Sequence, residues 1–283
     1  MRTRSVPPLA VALAVALSGC ALLPGGNRPS GFVPQAGACH LVPGDNASGD
    51  SYRPVGCQER HEAETFHVGR FAGADAALSE PPAPGSEAGR RAYASCSTAL
   101  NEFVGDVWQT SRLSLRVVLP TAKGWAADER WFRCDVVELL ALDVLEPSPR
   151  ANSLAGALRA PSPFHHGCYN NPTFGPDDRL QTMPPAACTG PHSTEFVGVW
   201  WSDALAAGTS PSEEDLIDGC FGVAADYVGV PTEDLGDQTY VYFLLPSDED
   251  WGVGDSGVLC FLHTDGTPLR RSLAGVGRRG LPG

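Results

Sequence analysis

With 283 residues and a formal net charge of −13, this chain is long enough for one or two hydrophobic cores and too acidic to offer nucleic-acid phosphates a basic face. Its nine cysteines argue against a reducing compartment, where thiols stay unpaired. Lys123 is the only lysine, and the acidic balance disfavours polyanionic wall polymers as direct ligands for the same electrostatic reason.

Residues 1–19 read as a secretory signal: Arg2 and Arg4, an apolar run from Val11 to Leu17, then small residues, too short in all to span a bilayer. The run ends Leu17-Ser18-Gly19-Cys20, which resembles the bacterial lipobox. That resemblance implies that Cys20 becomes the acylated N-terminus, its palmitate-type chains holding the protein to the extracytoplasmic face of the cell membrane. Each buried methylene adds about 0.8 kcal/mol of membrane affinity, so several chains hold firmly. Residues 20–36, rich in Gly and Pro, form a tether.

The other eight cysteines fall into two sets, Cys39, Cys57, Cys96, Cys134 and Cys168, Cys188, Cys220, Cys260, and their surroundings match. Cys57-x-x-x-His61-x-x-Glu64 parallels Cys188-x-x-x-His192-x-x-Glu195. Cys96 lies seven residues before Phe103-Val104-Gly105, and Cys220 seven before Tyr227-Val228-Gly229. Leu119-Pro120 leads to Trp125 and Cys134, and Leu245-Pro246 leads at identical spacings to Trp251 and Cys260. Three matched blocks in one order predict two tandem homologous domains, at 37–145 and 166–265. A Pro/Ser/Ala linker at 146–165 would join them, with a disordered tail at 266–283 whose four arginines are solvated.

Within each domain the patterns predict an α+β fold, a small antiparallel sheet with one helix packed on it and two internal disulfides. Val55–Cys57, residues 65–71 and Glu195–Trp201 have strand character, as do the alternating Leu113–Leu119 and the β-branched and aromatic Thr239–Leu245. Ala92, Cys96, Leu100 and Phe103 recur at helical spacing, as do Leu216, Cys220, Ala224 and Tyr227, with Ser210-Pro211 as a start and Gly229 as a stop. Four cysteines allow three pairings per domain. The local set is favoured: Cys39–Cys57 and Cys168–Cys188 close a polar loop, while Cys96–Cys134 and Cys220–Cys260 tie helix to sheet. Each closure is worth about 3–4 kcal/mol.

His61, Glu64, His192 and Glu195 form the only polar constellation present in both sets. A His-x-x-Glu pair can ligate zinc, with His67 available as a third ligand in the first domain but no counterpart in the second. The structural alternative, a histidine tied to its Glu or to backbone where the strand begins, is favoured over ligand binding and over catalysis. No metal, cofactor or catalytic residue is therefore expected, and no nucleophile elbow, phosphate loop or dinucleotide fingerprint occurs. Trp125 and Trp251 read as core plugs at hairpin ends, and His165-His166 as solvated residues.

The ordered set Gly37-x-Cys39, Cys57-x-x-x-His61-x-x-Glu64, Cys96, Trp125 and Cys134 resembles the septum-formation domain of envelope proteins from high-GC Gram-positive bacteria. The second set does so through Gly167-Cys168, Cys188-x-Gly-Pro-His192-x-x-Glu195, Cys220, Trp251 and Cys260. The family's proline before the histidine is present as Pro191 and replaced by Arg60 in the first set. The resemblance implies a membrane-tethered extracytoplasmic module linked to division or wall biogenesis, and supplies no catalytic residue. The function expected is thus a lipid-anchored, non-catalytic binding module with envelope or division proteins as partners. The alternative is a metal-dependent envelope hydrolase using His61 and Glu64. A substrate-capturing lipoprotein is disfavoured because units of ~100 residues do not easily build a large cleft.

Overall fold

A computed structural model describes residues 31–43, 47–159, 161–176, 180–236, 239–266 and 268–281. The expected signal segment, Cys20 and the first part of the tether lie outside the described residues.

In the first half, β1 (Cys39–His40), β2 (Ala63–Arg70), β3 (Leu113–Val118) and β4 (Trp131–Ala141) pair antiparallel in the order β1-β2-β4-β3. A short β5 (Val144–Pro147) folds back on the end of β4. Two helices, α1 (Gly73–Ala76) and the long α2 (Glu87–Val104), separate β2 from β3, and a third, α3 (Ala122–Ala126), lies between β3 and β4. Ser86 caps α2 by accepting the Gly89 N–H, and Gly105 ends it at φ 92°, a left-handed turn that glycine adopts without steric penalty.

The alternation of β4 divides the sheet into two faces. Phe132, Cys134 and Val136 meet Ala92, Cys96, Leu100 and Val104 of α2 in one apolar core. Trp131, Arg133 and Asp135 point the other way, where Phe32 packs edge-on against Trp131 and the disulfide-closed loop places Tyr52 against His40. On that face Arg133 and Asp135, both without solvent exposure, pair at 2.8 Å, and Thr65 links Asp135 to His40.

The second half runs through the same order. Here β6 (Cys168–Tyr169) carries two short additions, the hairpin of β7 (Thr173–Phe174) with β8 (Leu180–Thr182) and the edge strand β9 (Pro185–Ala186). After β10 (Thr194–Trp201) come α4 (Asp203–Ala206), α5 (Glu213–Val228), β11 (Thr239–Leu244), α6 (Asp248–Val253) and β12 (Gly257–Thr264), giving β6-β10-β12-β11. Val258, Cys260 and Leu262 face α5, while Phe261 faces Tyr169 and Met183, so the layer that is charged in the first half is aromatic in the second.

The four disulfides are Cys39–Cys57, Cys96–Cys134, Cys168–Cys188 and Cys220–Cys260, the local set favoured from the sequence. Three readings need correction. Helix α5 starts at Ser212 rather than Ser210, because Asp215 completes a reciprocal capping box with Ser212. Val55–Cys57 contributes only an isolated bridge, Val55 to Cys39, because the disulfide loop turns away from the sheet. The expected linker and tail are packed segments: Leu154 and Leu273 are each 1% exposed and belong to the two helix-side cores. The four tail arginines do remain exposed.

From Gly31 onward the chain is one compact unit. The halves meet through the Arg116–Asp250 ion pair at 3.9 Å and a 2.9 Å bond from the Met183 N–H to Asp143. Among the described residues no helix is long and apolar enough to cross a membrane.

Candidate functional site

Each His-x-x-Glu pair sits where the disulfide loop enters the central strand, and each half returns a later segment to it. His61 exchanges both backbone hydrogen bonds with Arg150, and His192 does the same with Leu269. The histidine ring is fixed by its own turn: Nδ1 lies 2.8 Å from the Glu59 carbonyl in the first half and 2.8 Å from the Gly190 carbonyl in the second.

The carboxylates take hold of the returning segment. Glu64 accepts the Ser153 hydroxyl at 2.6 Å and the Leu154 N–H at 2.7 Å. Glu195 accepts the Ser272 hydroxyl at 2.9 Å and the Leu273 N–H at 3.0 Å. The same segment then reaches the end of the long helix. Gly156 and Leu158 donate to the Phe103 and Val104 carbonyls, while Gly275 and Gly277 donate to those of Tyr227 and Val228. Those carbonyls have no partner within their own helix, so the segment completes the helix terminus from outside. The carboxylate is therefore one jaw of a clamp and the helix end the other.

Sequence reasoning singled out the histidines and glutamates and missed what they hold. The signal was present: Ser153-Leu154-Ala155-Gly156 recurs as Ser272-Leu273-Ala274-Gly275. It was hidden because both copies lie in Pro-, Gly- and Arg-rich stretches whose composition reads as linker and tail.

The two clamps differ. In the second, His192 Nε2 lies 2.8 Å from Glu195 Oε1, and the Tyr227 hydroxyl adds a bond at 2.7 Å. In the first, His61 Nε2 is buried without a hydrogen-bond partner among the described residues, and Phe103 stands where Tyr227 would. Ligating atoms do cluster here: Cys39, Cys57 and Glu64 lie within 4.8 Å of one another, as do Cys168, His192 and Glu195. Every cysteine among them is in a disulfide, whose sulfur carries no thiolate charge to ligate a metal. His67 belongs to neither cluster; it lies beyond a bulge in β2, opposite Cys134, with its ring against Phe132.

Both tryptophans pack on the cores from the hairpin ends, as expected, each on a short helix that joins two antiparallel strands: α3 between β3 and β4, and α6 between β11 and β12. Trp125 is buried, donates to the Leu78 carbonyl at 2.7 Å and lies under the Arg130 guanidinium at 4.1 Å. Trp251 donates to the Leu205 carbonyl at 3.3 Å. His165-His166 is not a solvated pair. His165 bridges Ser111, and His166 packs on Phe196 within 3.3 Å of the Tyr169 hydroxyl. Desolvation, with the Arg112 charge adding, pulls the His166 pKa down to about 3.

A sequence model described as septum formation matches residues 36–260, a single match running through both halves. The chain belongs to the septum-formation family. Membership points to a role in the cell envelope or in division. No curated protein and no solved structure matches the chain.

Proposed function

We propose that this septum-formation protein is a lipid-anchored, non-catalytic binding module on the extracytoplasmic face of the cell membrane, acting in division or wall biogenesis. The observation that supports the non-catalytic reading is that both carboxylates hold returning segments of their own chain. Glu64 and Glu195 each accept a serine hydroxyl and a leucine amide from a Ser-Leu segment of their own chain, a structural use of the carboxylate. Their histidines face turn carbonyls, and the cysteines beside them are oxidised.

The anchor is assigned to Cys20 from the Leu-Ser-Gly-Cys ending of the leader. Four disulfides suit the oxidising side of a membrane. We further propose that the halves arose as two tandem homologous domains. Supporting this are the common strand order, the equivalent helix caps and the residue-for-residue correspondence of the two clamps. The partners proposed are envelope or division proteins.

Fractionation of cells expressing the full chain and a Cys20→Ser variant tests the anchor. The wild type should sediment with membranes and the variant should be released or accumulate unprocessed. Unchanged processing and unchanged tight membrane association in the variant would refute it.

A further inference from the structure

Between the two halves lies a cleft of about 680 Å³, within the range of small-molecule and side-chain pockets. Leu113 and Leu139 supply one wall, Leu244 and Leu259 the other. At its rim Leu145 is 64% exposed and Leu245 48%, large apolar side chains that neither core uses. Units of this size were expected to lack a large cleft; the space arises because two of them are held side by side.

The polar groups of the cleft are strongly biased. Four carboxylates, Asp143, Asp248, Asp250 and Asp255, line it against one cation, Arg112. That guanidinium is already spent on the Leu139 and Pro163 carbonyls and on Glu138. The imidazole of His166 is held neutral. Three polar side chains in the wall are almost fully buried: Ser111, 4% exposed, which donates to the Trp108 carbonyl at 2.6 Å, Gln109, 6% exposed, and Asp255, 7% exposed. Gln109 Oε1 has no hydrogen-bond partner among the described residues, and Asp255 accepts one firm bond, from the Gly257 N–H at 3.0 Å. The Gln109 side chain and the Tyr93 hydroxyl lie near the Asp255 carboxyl and favour its charged form. A buried acceptor without a donor is costly, and Gln109 Oε1 is such an acceptor.

We propose that this cleft binds an apolar chain ending in an ammonium or guanidinium group, with its cationic head on Asp255 and Gln109 and its stem between the leucine walls. An ammonium or guanidinium offers several donors and no acceptor, which matches two acceptors set in an apolar wall. An anionic ligand would meet four carboxylates, and a neutral alcohol would leave the charge of Asp255 uncompensated. The chemistry fits the basic side chain of a partner polypeptide or a free alkylamine. The inference deepens the binding-module reading by naming a site and a ligand class, and its failure would leave the anchor and the clamps untouched.

The test is methyl NMR titration of the mature, disulfide-intact protein with n-hexylammonium and n-hexylguanidinium, using 1-hexanol and hexanoate as neutral and anionic controls. The cations should shift the Leu139 and Leu259 methyls saturably, with affinity on the order of millimolar for ligands of this size. Asp255→Asn should weaken them about tenfold, the loss of one charge-assisted bond. Gln109→Leu, which removes the unpartnered acceptor, should weaken them several-fold. A short acetylated peptide with one lysine between leucines distinguishes the sources: tighter binding than hexylammonium assigns the site to a polypeptide, equal binding to a free amine. No saturable shift at the cleft methyls, equal binding of 1-hexanol or hexanoate, or undiminished binding to both variants would overturn the proposal.

Discussion

The Leu273 amide lies 3.0 Å from both carboxylate oxygens of Glu195, and Glu195 also receives Tyr227, Ser272 and the ring of His192. Glu64, its counterpart, receives only Ser153 and the Leu154 amide among the described residues. Truncating either carboxylate strands buried donors, at about 1–3 kcal/mol for each group left unpaired. Glu195→Ala should therefore destabilise the protein more than Glu64→Ala, and both should lower the urea midpoint. Equal midpoints for the two variants would show that the additional partners of Glu195 contribute nothing.

Cys96–Cys134 and Cys220–Cys260 join fully buried sulfurs across 38 and 40 residues, whereas Cys39–Cys57 closes 18 and leaves Cys57 partly exposed. Constraint of the unfolded chain is worth about 4 kcal/mol for the longer closures and about 3 kcal/mol for the shorter one. Removing a helix-to-sheet pair as a double Ala variant also opens a cavity in the core. Thermal unfolding should rank Cys96→Ala/Cys134→Ala well below Cys39→Ala/Cys57→Ala. The reverse order would mean that the polar loop, not the helix, is the element most in need of a tie.

Burial pushes the Asp255 carboxyl above the usual carboxylate range, partly offset by the Gly257 N–H and by the nearby Gln109. The folded state thus holds this proton more tightly than the unfolded chain. Stability from this group is full at pH below the unfolded carboxylate value and is lost as pH rises through the raised folded value. Asp255→Asn keeps an acceptor for Gly257 and removes the charge, so it should melt higher than wild type at pH 7, with the gap closing near pH 4. A lower melting temperature at pH 7 would contradict the assignment of burial as the dominant influence. Gained stability together with lost cation binding would mark a residue kept for function.

His166 slopes the other way. Its pKa is pulled down to about 3 while the unfolded histidine titrates near the ordinary value, so stability falls as pH drops from about 6.5 toward 3. Part of its surface still faces the cleft, so solvent softens the effect. An NMR titration should find the His166 ring neutral down to about pH 3; protonation near pH 6.5 would refute its desolvation.

Much of the fold was legible in local patterns. Cysteine spacing carried the disulfide set, and the periodicity around Cys96 and Cys220 located the helices they staple. The clamps were half legible: His61, Glu64, His192 and Glu195 stood out, but Ser153-Leu154 and Ser272-Leu273 did not, because a docked extended segment has no periodicity. Its backbone bonds go to a glutamate and a helix end distant in sequence, and composition alone reads it as loop. The cleft was illegible for a related reason. Asp255 and Gln109 are ordinary polar residues until the packing of two halves removes them from water.

The central claim, that the His-Glu pairs clamp the chain instead of holding a catalytic metal, is tested most directly by metal content and wall hydrolysis measured on one preparation. Mature wild-type protein with its disulfides intact, beside His61→Ala and Glu64→Gln, should carry far less than one zinc per chain and release no soluble fragments from purified cell wall. Stoichiometric zinc in the wild type, lost together with fragment release in either variant, would contradict it.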